Sequence, residues 1–305
     1  MKTLKCILAG ILLLAAFSSC KKDNEDQAIM TMTVTVDYET YERPMFFYLK
    51  GAGTAVIDWG DGSPFDTITL STTENIRCQR SYSNLIDREI KIYGNDIQSL
   101  DCSQNSFNIL TGLDVSKNSA LTSLNCANNR LMNLDVSRNT ALTYLYCSYN
   151  RLTGLDVSRN TALTSLGCAN NRLTGLDVSK NTALTYLSCD DNQLTGLDVS
   201  KNTALTLLSC DSKLLTGLDV SKNTALEFLS TMDSPLERLD VSKNTALKIL
   251  WCTRNQLSAA ALDALFSTLH SNTFLGKIIH VSGNPGTDAC NPSIATEKGW
   301  IVETE

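Results

Sequence analysis

The residues that could do covalent chemistry are few and lie far apart in this 305-residue chain. It has two histidines, His270 and His280, and no GxSxG, HExxH or phosphate-loop motif. Two carboxylates are enough for a glycosidase, and Asp190 and Asp211 recur at a spacing of 21 residues. An open sheet surface desolvates a carboxyl group poorly, so it does little to raise the pKa of an acid catalyst. We therefore predict that the protein is not an enzyme.

Seven of the 11 cysteines recur at one position of a repeat, which would permit a disulfide framework, a metal site or a packed column. Stacked neighbours have parallel side-chain vectors, unlike a relaxed disulfide, and a metal needs a tetrahedral cluster of ligands instead of a row. We predict buried free thiols that pack as small apolar groups, with no metal and no cofactor. Cys78 and Cys290 stand outside the column and stay unassigned. The seven are Cys102, Cys126, Cys147, Cys168, Cys189, Cys210 and Cys252.

A phrase of 21 residues, LxxLxCxxNxLxxLDVSxNxA, organises the chain and accounts for these spacings. In its first half Leu124 and Cys126 alternate with polar residues, which predicts a short strand. In its second half Leu134 and Val136 alternate in the same way and predict a second strand-like run. A single copy cannot bury both apolar stripes, so the pattern predicts a solenoid of stacked coils. Copies begin at Ile97, Leu121, Leu142, Leu163, Leu184, Leu205, Leu226 and Leu247.

The half-repeat LxxLxCxxNxL resembles the leucine-rich-repeat signature, with Cys where Leu is commoner. The resemblance covers residues 97–257 and is to the short 21-residue bacterial class, which is internalin-like and of the Bacteroidetes surface-lipoprotein type. It implies a mainly β fold: a leucine-rich-repeat solenoid of about eight 21-residue coils, with a small N-terminal β-sandwich and an α/β C-terminal cap.

In that family the asparagine of the LxxN segment bonds backbone groups of adjacent coils. Lys213 and Ser234 interrupt this ladder, Thr231 replaces the cysteine of the seventh coil, and Pro235 follows. We therefore expect the seventh coil to be irregular. The asparagines that match the family position are Asn105, Asn129, Asn150, Asn171, Asn192 and Asn255.

Residues 1–20 have the pattern of a bacterial lipoprotein signal peptide, with a basic start and an apolar run too short to span a membrane. Cys20 follows two small residues and matches a lipobox; the alternative is a simple secretory signal. Residues 21–29 are mostly polar and charged, are typical of a flexible tether, and resemble a Bacteroidetes-type surface-export signal. These features predict an outer-membrane lipoprotein that faces outward and is anchored by lipid at Cys20.

Residues 30–96 contain alternating runs of threonine, valine and aromatic residues, which predict a small antiparallel sandwich. Its IDWGDGS segment resembles a turn of polycystic-kidney-disease-type (PKD) domains, and we expect this domain to cap the first coil. Asp58, Asp61 and Asp66 could suggest calcium ligands, but the EF-hand pattern is absent. We therefore interpret this segment as a hairpin, in which the Asp61-Gly62 turn has a positive φ, and not as a calcium site.

Residues 258–305 predict a C-terminal cap. Ser258 is a good N-cap for the amphipathic helix that follows it. The segment KIIHVSGN keeps the spacing of the strand motif, with Ile279 at a leucine position, and predicts a ninth concave strand. The tail is expected to fold over the open end of the solenoid with Trp300 as its plug.

The outward positions of the concave strands differ from coil to coil, so we place the ligand-binding site there. Exposed aromatic residues on a rigid sheet, flanked by charges, are typical of protein and glycan interfaces. The second half of each coil instead repeats one aspartate and one nearby lysine or arginine, which predicts a solvated structural face. The candidate ligand-binding residues are Tyr144, Tyr146, Tyr149, Tyr186, Asp190, Asp191, Asp211, Phe228, Trp251 and Arg254.

The formal net charge of −6 argues against nucleic-acid binding. The repeat resemblance and the variable aromatic positions predict a non-enzymatic adhesin that binds a host or neighbouring-cell surface protein through its concave face. The alternative is a glycan-binding lipoprotein for nutrient capture. In that case Tyr146, Tyr186 and Trp251 would stack on sugar rings beside Asp190 and Asp211.

Overall fold

The computed structural model describes residues 28–35, 44–82, 86–103, 110–273 and 275–305. The predicted signal peptide with Cys20, most of the tether, and Asn105 lie outside the described residues. Within the described ranges, no helix is both long and apolar enough to cross a membrane.

Short strands account for most of the regular structure. The helices are α1 (Ala259–Thr268) and α2 (Ser293–Thr296). The strands are β1 (Met30–Val34), β2 (Met45–Ala52), β3 (Thr54–Asp58), β4 (Asp66–Thr69), β5 (Ile76–Arg80), β6 (Arg88–Tyr93), β7 (Asp96–Asp101), β8 (Leu110–Asp114), β9 (Ser123–Asn125), β10 (Tyr144–Tyr146), β11 (Ser165–Gly167), β12 (Tyr186–Ser188), β13 (Leu207–Ser209), β14 (Phe228–Ser230), β15 (Ile249–Trp251), β16 (Ile278–His280) and β17 (Ile301–Glu303).

A sheet of 12 strands runs the length of the molecule, in the order β17-β16-β15-β14-β13-β12-β11-β10-β9-β7-β2-β5. From β7 to β17 all neighbours are parallel, and each coil contributes one strand. The central leucines pair in register, for example Leu145 with Leu166, and their side chains are fully buried. This follows from the LxxLxC alternation, which puts the leucine and the cysteine on the same inward side of the strand. Ile279 pairs with Leu250, so the predicted ninth strand is confirmed as β16.

The second half of each coil after β8 is not assigned to a strand, so the predicted second strand-like run does not form a ladder there. Leu134 and Val136 are buried on either side of Asp135, as the alternation predicts. However, the amide of Ser137 donates to the side chain of Asp135 at 2.9 Å, and the amide of Asn139 donates to the carbonyl of Val136 at 3.0 Å. The aspartate therefore closes a local turn, which competes with pairing to the next coil.

Asparagine side chains connect the coils through two buried ladders. The Nδ2 of Asn129 donates to the carbonyls of Cys102 and Cys126, at 3.2 and 3.1 Å, and its Oδ1 accepts from the amide of Leu110 at 3.1 Å. The second ladder was not predicted from the sequence. Each member donates from Nδ2 to two carbonyls of the preceding coil, as Asn139 does to Val115 and Asn118 at 2.9 and 2.7 Å. Its members are Asn139, Asn160, Asn181, Asn202, Asn223 and Asn244.

The irregular coil is the sixth, and the prediction of the seventh was wrong. Most coils place a residue with φ between 49 and 57° just before the ladder asparagine, and the seventh has Asp233 there with φ 53°. Ser212, at the same position of the sixth coil, does not adopt a positive φ. Instead its amide donates to the Oγ of Ser234 at 3.0 Å, and its Oγ donates to the carbonyl of Leu194 at 2.9 Å. Two serines therefore replace the missing asparagines.

Two sheets form the N-terminal part. An antiparallel sheet of five strands has the order β4-β3-β6-β1-β8, and β5, β2 and β7 belong to the 12-stranded sheet. The rings of Phe47 and Trp59 bring the two sheets together, with centroids 5.5 Å apart. Gly62 has a φ of 77°, as the hairpin interpretation requires. Because β7 and β8 carry the first coil, the apolar core continues without a break from this part into the solenoid. The PKD-like assignment stays a prediction.

The C-terminal residues cover the last coil. The Oγ of Ser258 accepts the amide of Ala261 at 3.2 Å and so caps α1, which buries Leu262 and Phe266 completely. Trp300 is 2% exposed, and its Nε1 donates to the carbonyl of His270 at 2.9 Å.

Candidate ligand-binding face

The outward side chains of the concave strands form two columns. Each strand of three residues presents its first and third side chains outward while the second is buried. The in-register pairing of β10 to β15 therefore aligns these positions from coil to coil. Five of the predicted site residues lie in the two columns: Tyr144, Tyr146, Tyr186, Phe228 and Trp251.

A tyrosine cluster occupies the N-terminal half of the face. The rings of Tyr144 and Tyr146 stack at 4.2 Å between centroids, and those of Tyr146 and Tyr186 at 5.8 Å. Tyr146 reaches across the coil of Gly167, where a Cβ atom would lie 2.8 Å from the Tyr146 ring. Its hydroxyl lies 3.3 Å from the Oγ of Ser165. The small residues at Gly167 and Ser165 thus leave the space in which the three rings pack.

A second aromatic cluster occupies the C-terminal half of the face. Phe228 and Trp251 meet edge to face at 5.0 Å, and Trp251 meets His280 in the same way at 5.9 Å. The sequence analysis did not place His280 among the candidate ligand-binding residues, although its position as the third residue of the predicted ninth strand could have identified it. The structure therefore divides the predicted aromatic group into two clusters, separated by the β13 strand.

Two aspartates lie between the clusters; two serine hydroxyls and a backbone amide hold Asp190, and one serine hydroxyl and a backbone amide hold Asp211. Asp190 accepts from the hydroxyls of Ser188 and Ser209, at 2.8 and 2.6 Å, and from the amide of Asp211 at 3.0 Å. Asp211 accepts from the hydroxyl of Ser230 at 2.6 Å and from the amide of Met232 at 2.7 Å. Each carboxylate is thus fixed to its neighbouring coil, so the acidic patch is rigid.

Asp211 contradicts the expectation that this open sheet surface does little to raise the pKa of a carboxyl group. Partial burial raises its pKa from the ordinary value of 3.8 to about 6; the hydrogen bond from Ser230 opposes this, and the charge of Asp190 adds to it. The face therefore gains negative charge as the pH rises through about 6.

We expect Asp211→Asn to stabilise the protein at about pH 8 and to change its stability little at about pH 4. The pKa of Asp211 in the folded protein lies above its pKa in the unfolded chain. The contribution of Asp211 to stability is therefore greatest when the pH is below the pKa of the unfolded chain. It is lost as the pH rises through about 6. Asparagine keeps an oxygen for the two donors without the charge. Urea titrations should show a gain of roughly 1–2 kcal/mol at about pH 8, allowing for solvent screening. An equal gain in the free energy of unfolding at about pH 4 would show that the charge of Asp211 is not the cause.

The remaining predicted site residues lie on the rim, just after the concave strands. Tyr149, Asp191 and Arg254 all have positive φ, between 49 and 56°, and Tyr149 is 57% exposed. The guanidinium of Arg254 pairs with Asp233, with Nε 2.6 Å from Oδ1. These residues border the face and are separate from the two aromatic clusters.

The face also continues beyond the solenoid onto the N-terminal strands. Tyr48 of β2 pairs in register with Asp101 of β7, which pairs with Asn125 of β9, so the third-position column extends to Tyr48. The guanidinium of Arg77 lies 4.3 Å from the ring centroid of Phe46 on the same outward side of β2 and β5. The sequence analysis missed this extension. The alternation in MFFYLK marks the outward residues, but nothing in it indicates the pairing with β7.

The cysteine column faces inward, as predicted. All nine cysteines in the described part of the chain are free, and the seven column members are at most 1% exposed. Burial raises the pKa of the Cys252 thiol to about 12, and its Sγ donates to the carbonyl of His280 at 3.3 Å. Cys78 is buried, and Cys290 is half-buried with its Sγ 3.2 Å from the carbonyl of Thr287. These thiols pack as apolar groups in the core.

Comparisons with known proteins identify solved structures that have a similar fold. No protein-family model matches the chain, and no curated protein matches it. Solved structures of 99 chains are similar. The functional domain of InlJ from Listeria monocytogenes, which includes a cysteine ladder, is 32% identical, with a TM-score of 0.51 over 68% of this chain and 53% of that one. The leucine-rich-repeat protein LIC12759 from Leptospira interrogans is 21% identical, with a TM-score of 0.51 over 62% of this chain and 50% of that one.

The likeness concerns the fold, and the chain spans about half the length of both structures. The InlJ domain includes a cysteine ladder, and the described residues of this chain likewise have an inward column of cysteines. The chain is a mainly β solenoid of about nine turns whose fold matches that of leucine-rich-repeat proteins.

Proposed function

We propose that this protein is a non-enzymatic binding module that holds a protein partner on its concave face. The observation that carries the proposal is the arrangement of two packed aromatic clusters on either side of Asp190 and Asp211, on one continuous sheet. Clustered aromatic residues on a rigid support are typical of the energetic centres of protein interfaces, because little side-chain entropy is lost on binding. The leucine-rich-repeat fold supports an interaction role.

The ring packing favours a protein over a glycan. A sugar ring stacks on an open aromatic face, whereas Tyr144, Tyr146 and Tyr186 stack on one another. Trp251 has Phe228 on one side and His280 on the other. Such packing leaves ring edges and hydroxyl groups for the ligand. Tyrosine edges and hydroxyls combine apolar contact with hydrogen bonding and are enriched at protein interfaces.

The proposal also covers the cellular location of the protein. We propose that lipid on Cys20 anchors the protein in an outer membrane, facing outward, and that the PKD-like segment separates the two aromatic clusters from the membrane. The signal-like residues 1–20 and the polar tether support it. Cys20→Ser should move the protein from the membrane fraction to the soluble fraction, and retention in the membrane fraction would contradict a lipid anchor.

The test of the binding face is a triple variant, Tyr146→Ala/Tyr186→Ala/Trp251→Ala, assayed with the unchanged chain on arrays of cell-surface proteins and of glycans. A protein ligand should lose at least about 30-fold in affinity in the variant, because each ring is a candidate hot spot. The matched control is Met132→Ala/Leu275→Ala, which removes exposed apolar side chains away from the concave strands and should change affinity little.

Each outcome has a distinct meaning. A protein ligand lost only in the aromatic variant supports the proposal. A glycan lost in the same way would replace it with nutrient capture. A ligand retained by the aromatic variant would move the site to another surface.

A further inference from the structure

An apolar row runs along the C-terminal half of the concave face. The first residues of β13 to β17 pair in register from one strand to the next. Their side chains face outward, because the second residue of each strand from β13 to β16 is buried. In β9 to β12 the same position is serine or tyrosine, so the row begins at β13. We call Leu207, Phe228, Ile249, Ile278 and Ile301 the apolar row.

The apolar row forms one surface with the aromatic side chains beside it. Four of its members are half-buried, and Ile301 at the end of the sheet is 52% exposed. Trp251 lies in the neighbouring third-position column and packs against Phe228 and His280. Strands of a sheet lie about 4.8 Å apart, so the row is about 19 Å long. A continuous apolar surface of this kind is typical of an interaction site.

The hydrogen bonding of the concave strands decides which kind of segment fits the apolar row. Strands β13 to β16 pair with a neighbour on both sides, so their backbone amides and carbonyls are used within the sheet. An extended segment laid across this face would leave its own amides and carbonyls against apolar side chains. A helix satisfies its backbone internally and presents one apolar side. A row of about 19 Å corresponds to a helix of about 13 residues.

Carboxylates border the apolar row at both ends. Asp190 and Asp211 lie beside the start of the row, beyond the third-position column, and Glu303 lies in that column at β17. Hydroxyl and amide groups hold the two aspartates, and these donors carry no charge that would neutralise them. The charge of Arg254 acts on Asp211 from two coils away. The border is acidic at about pH 8, where Asp211 is ionised.

Three positive side chains near the row, within the described residues, are already engaged. The Nζ of Lys248 lies 2.7 Å from the Oε2 of Glu227, and the Nε of Arg254 lies 2.6 Å from the Oδ1 of Asp233. Lys277 is 2% exposed, and its Nζ donates to two backbone carbonyls beneath the face. The charge that this half of the face offers to a partner is therefore negative.

We propose that the apolar row binds a helical segment of the protein partner that is apolar along one side and carries lysine or arginine on its flanks, which rests on the proposed function of the concave face. Such a helix brings its positive side chains over the bordering carboxylates. The α1 helix of a second copy does not match, because it contains one aspartate and no lysine or arginine. An anionic membrane surface does not match either, since the acidic border would repel it.

The experiment measures binding of a fluorescein-labelled peptide of about 14 residues to the full chain at about pH 8 by fluorescence anisotropy. The peptide consists of leucine and lysine, with its leucines on one side of a helix. A second peptide has the same composition in strict alternation, which is typical of a strand, and a third has glutamate in place of lysine. The unchanged chain should bind the helical lysine peptide at least about tenfold more tightly than either of the others.

Ile249→Thr/Ile278→Thr should weaken binding of the helical lysine peptide at least about tenfold, because it removes apolar contact from the middle of the row. Threonine is also β-branched and suits a strand, so the register should persist. The matched control Met132→Thr/Leu275→Thr alters exposed apolar side chains away from the concave strands and should stay within about twofold. The comparison of the three peptides on the unchanged chain does not depend on the folding of any variant.

Three results would overturn the inference. Equal binding of the helical and the alternating lysine peptides would show attraction by charge alone. Tighter binding of the glutamate peptide would contradict the acidic border. Equal loss in the two variant pairs would place the peptide on another surface.

The ligand found on the arrays separates this inference from the proposed function. Loss of that ligand in the aromatic triple variant, with retention in the isoleucine pair, would overturn the assignment of the apolar row alone. Retention in both variants would overturn the proposed function, and the three peptides would still decide what the row binds.

Discussion

Asn171→Ala is expected to lower the free energy of unfolding by about 4 kcal/mol. The Asn171 Nδ2 donates to the carbonyls of Cys147, Cys168 and Ala169 at 3.0, 3.1 and 3.3 Å, and its Oδ1 accepts the amide of Leu152 at 3.0 Å. Alanine would leave the amide of Leu152 buried without a partner, which costs roughly 1–3 kcal/mol. It would also remove one of two donors from each carbonyl, because these carbonyls also accept from the Nδ2 groups of Asn150 and Asn192 and from the amide of Tyr149. Each hydrogen bond lost in this way contributes about 0.5–1.5 kcal/mol. Urea denaturation followed by circular dichroism measures the loss.

The sixth coil supplies an internal comparison for this prediction. There Ser212 and Ser234 take over part of the ladder, so Asn171→Ser should be less destabilising than Asn171→Ala. Thr174→Ala alters an exposed residue of the same coil and should change stability by less than about 0.5 kcal/mol. Equal stability of the alanine variant and this control would contradict a structural role for the asparagine ladder.

Gly286→Ala is expected to destabilise the C-terminal cap by about 3 kcal/mol or more. A Cβ at this position would lie 2.1 Å from the amide nitrogen of Ala259 and 2.2 Å from the carbonyl carbon of Ser258. Both atoms belong to the backbone at the start of α1, so relief requires the helix to move. The amide of Gly286 also donates to the carbonyl of Leu257 at 2.9 Å, which ties the cap to the last coil.

The matched control is Gly154→Ala, because a Cβ there meets no atom within 4 Å. It should leave stability unchanged or slightly higher, since alanine restricts the unfolded chain. Thermal unfolding followed by tryptophan fluorescence measures the loss expected for Gly286→Ala, because Trp300, one of the three tryptophans of the chain, is buried within residues 258–305. Similar unfolding curves for the two alanine variants would show that the close approach at Gly286 is not needed for the cap.

The repeat determined the inward half of the fold. A period of two within the strand motif allows only one inward set, so the predicted leucines and cysteines are buried wherever the motif is intact, as at Leu145 and Cys147. The prediction that the seventh coil would be the irregular one was wrong, because residues of two different coils together supply the hydrogen bonds that the missing asparagines would have made. Ser212 acts together with Ser234, 22 residues later, and only the stacked structure brings them together.

For the outward side chains of the concave strands, the sequence predicted their orientation but not their contacts with one another. The repeat predicted that Tyr144, Tyr146 and Tyr186 face outward, because outward positions follow from the same alternation. Which rings touch depends on their neighbours: Tyr146 reaches Tyr186 because Gly167 leaves space between them. The division into two aromatic clusters is therefore a result of packing.

The sequence by itself determined the solenoid, its register and the inward column of cysteines, because these follow from local alternation repeated at a constant period. Only the tertiary structure decided that the face extends onto β2 and β5 and that Asp211 is sufficiently buried for its pKa to rise to about 6. Both depend on contacts between residues far apart in the chain. The pairing of Tyr48 with Asp101 joins segments 53 residues apart, and no local pattern specifies such a pairing.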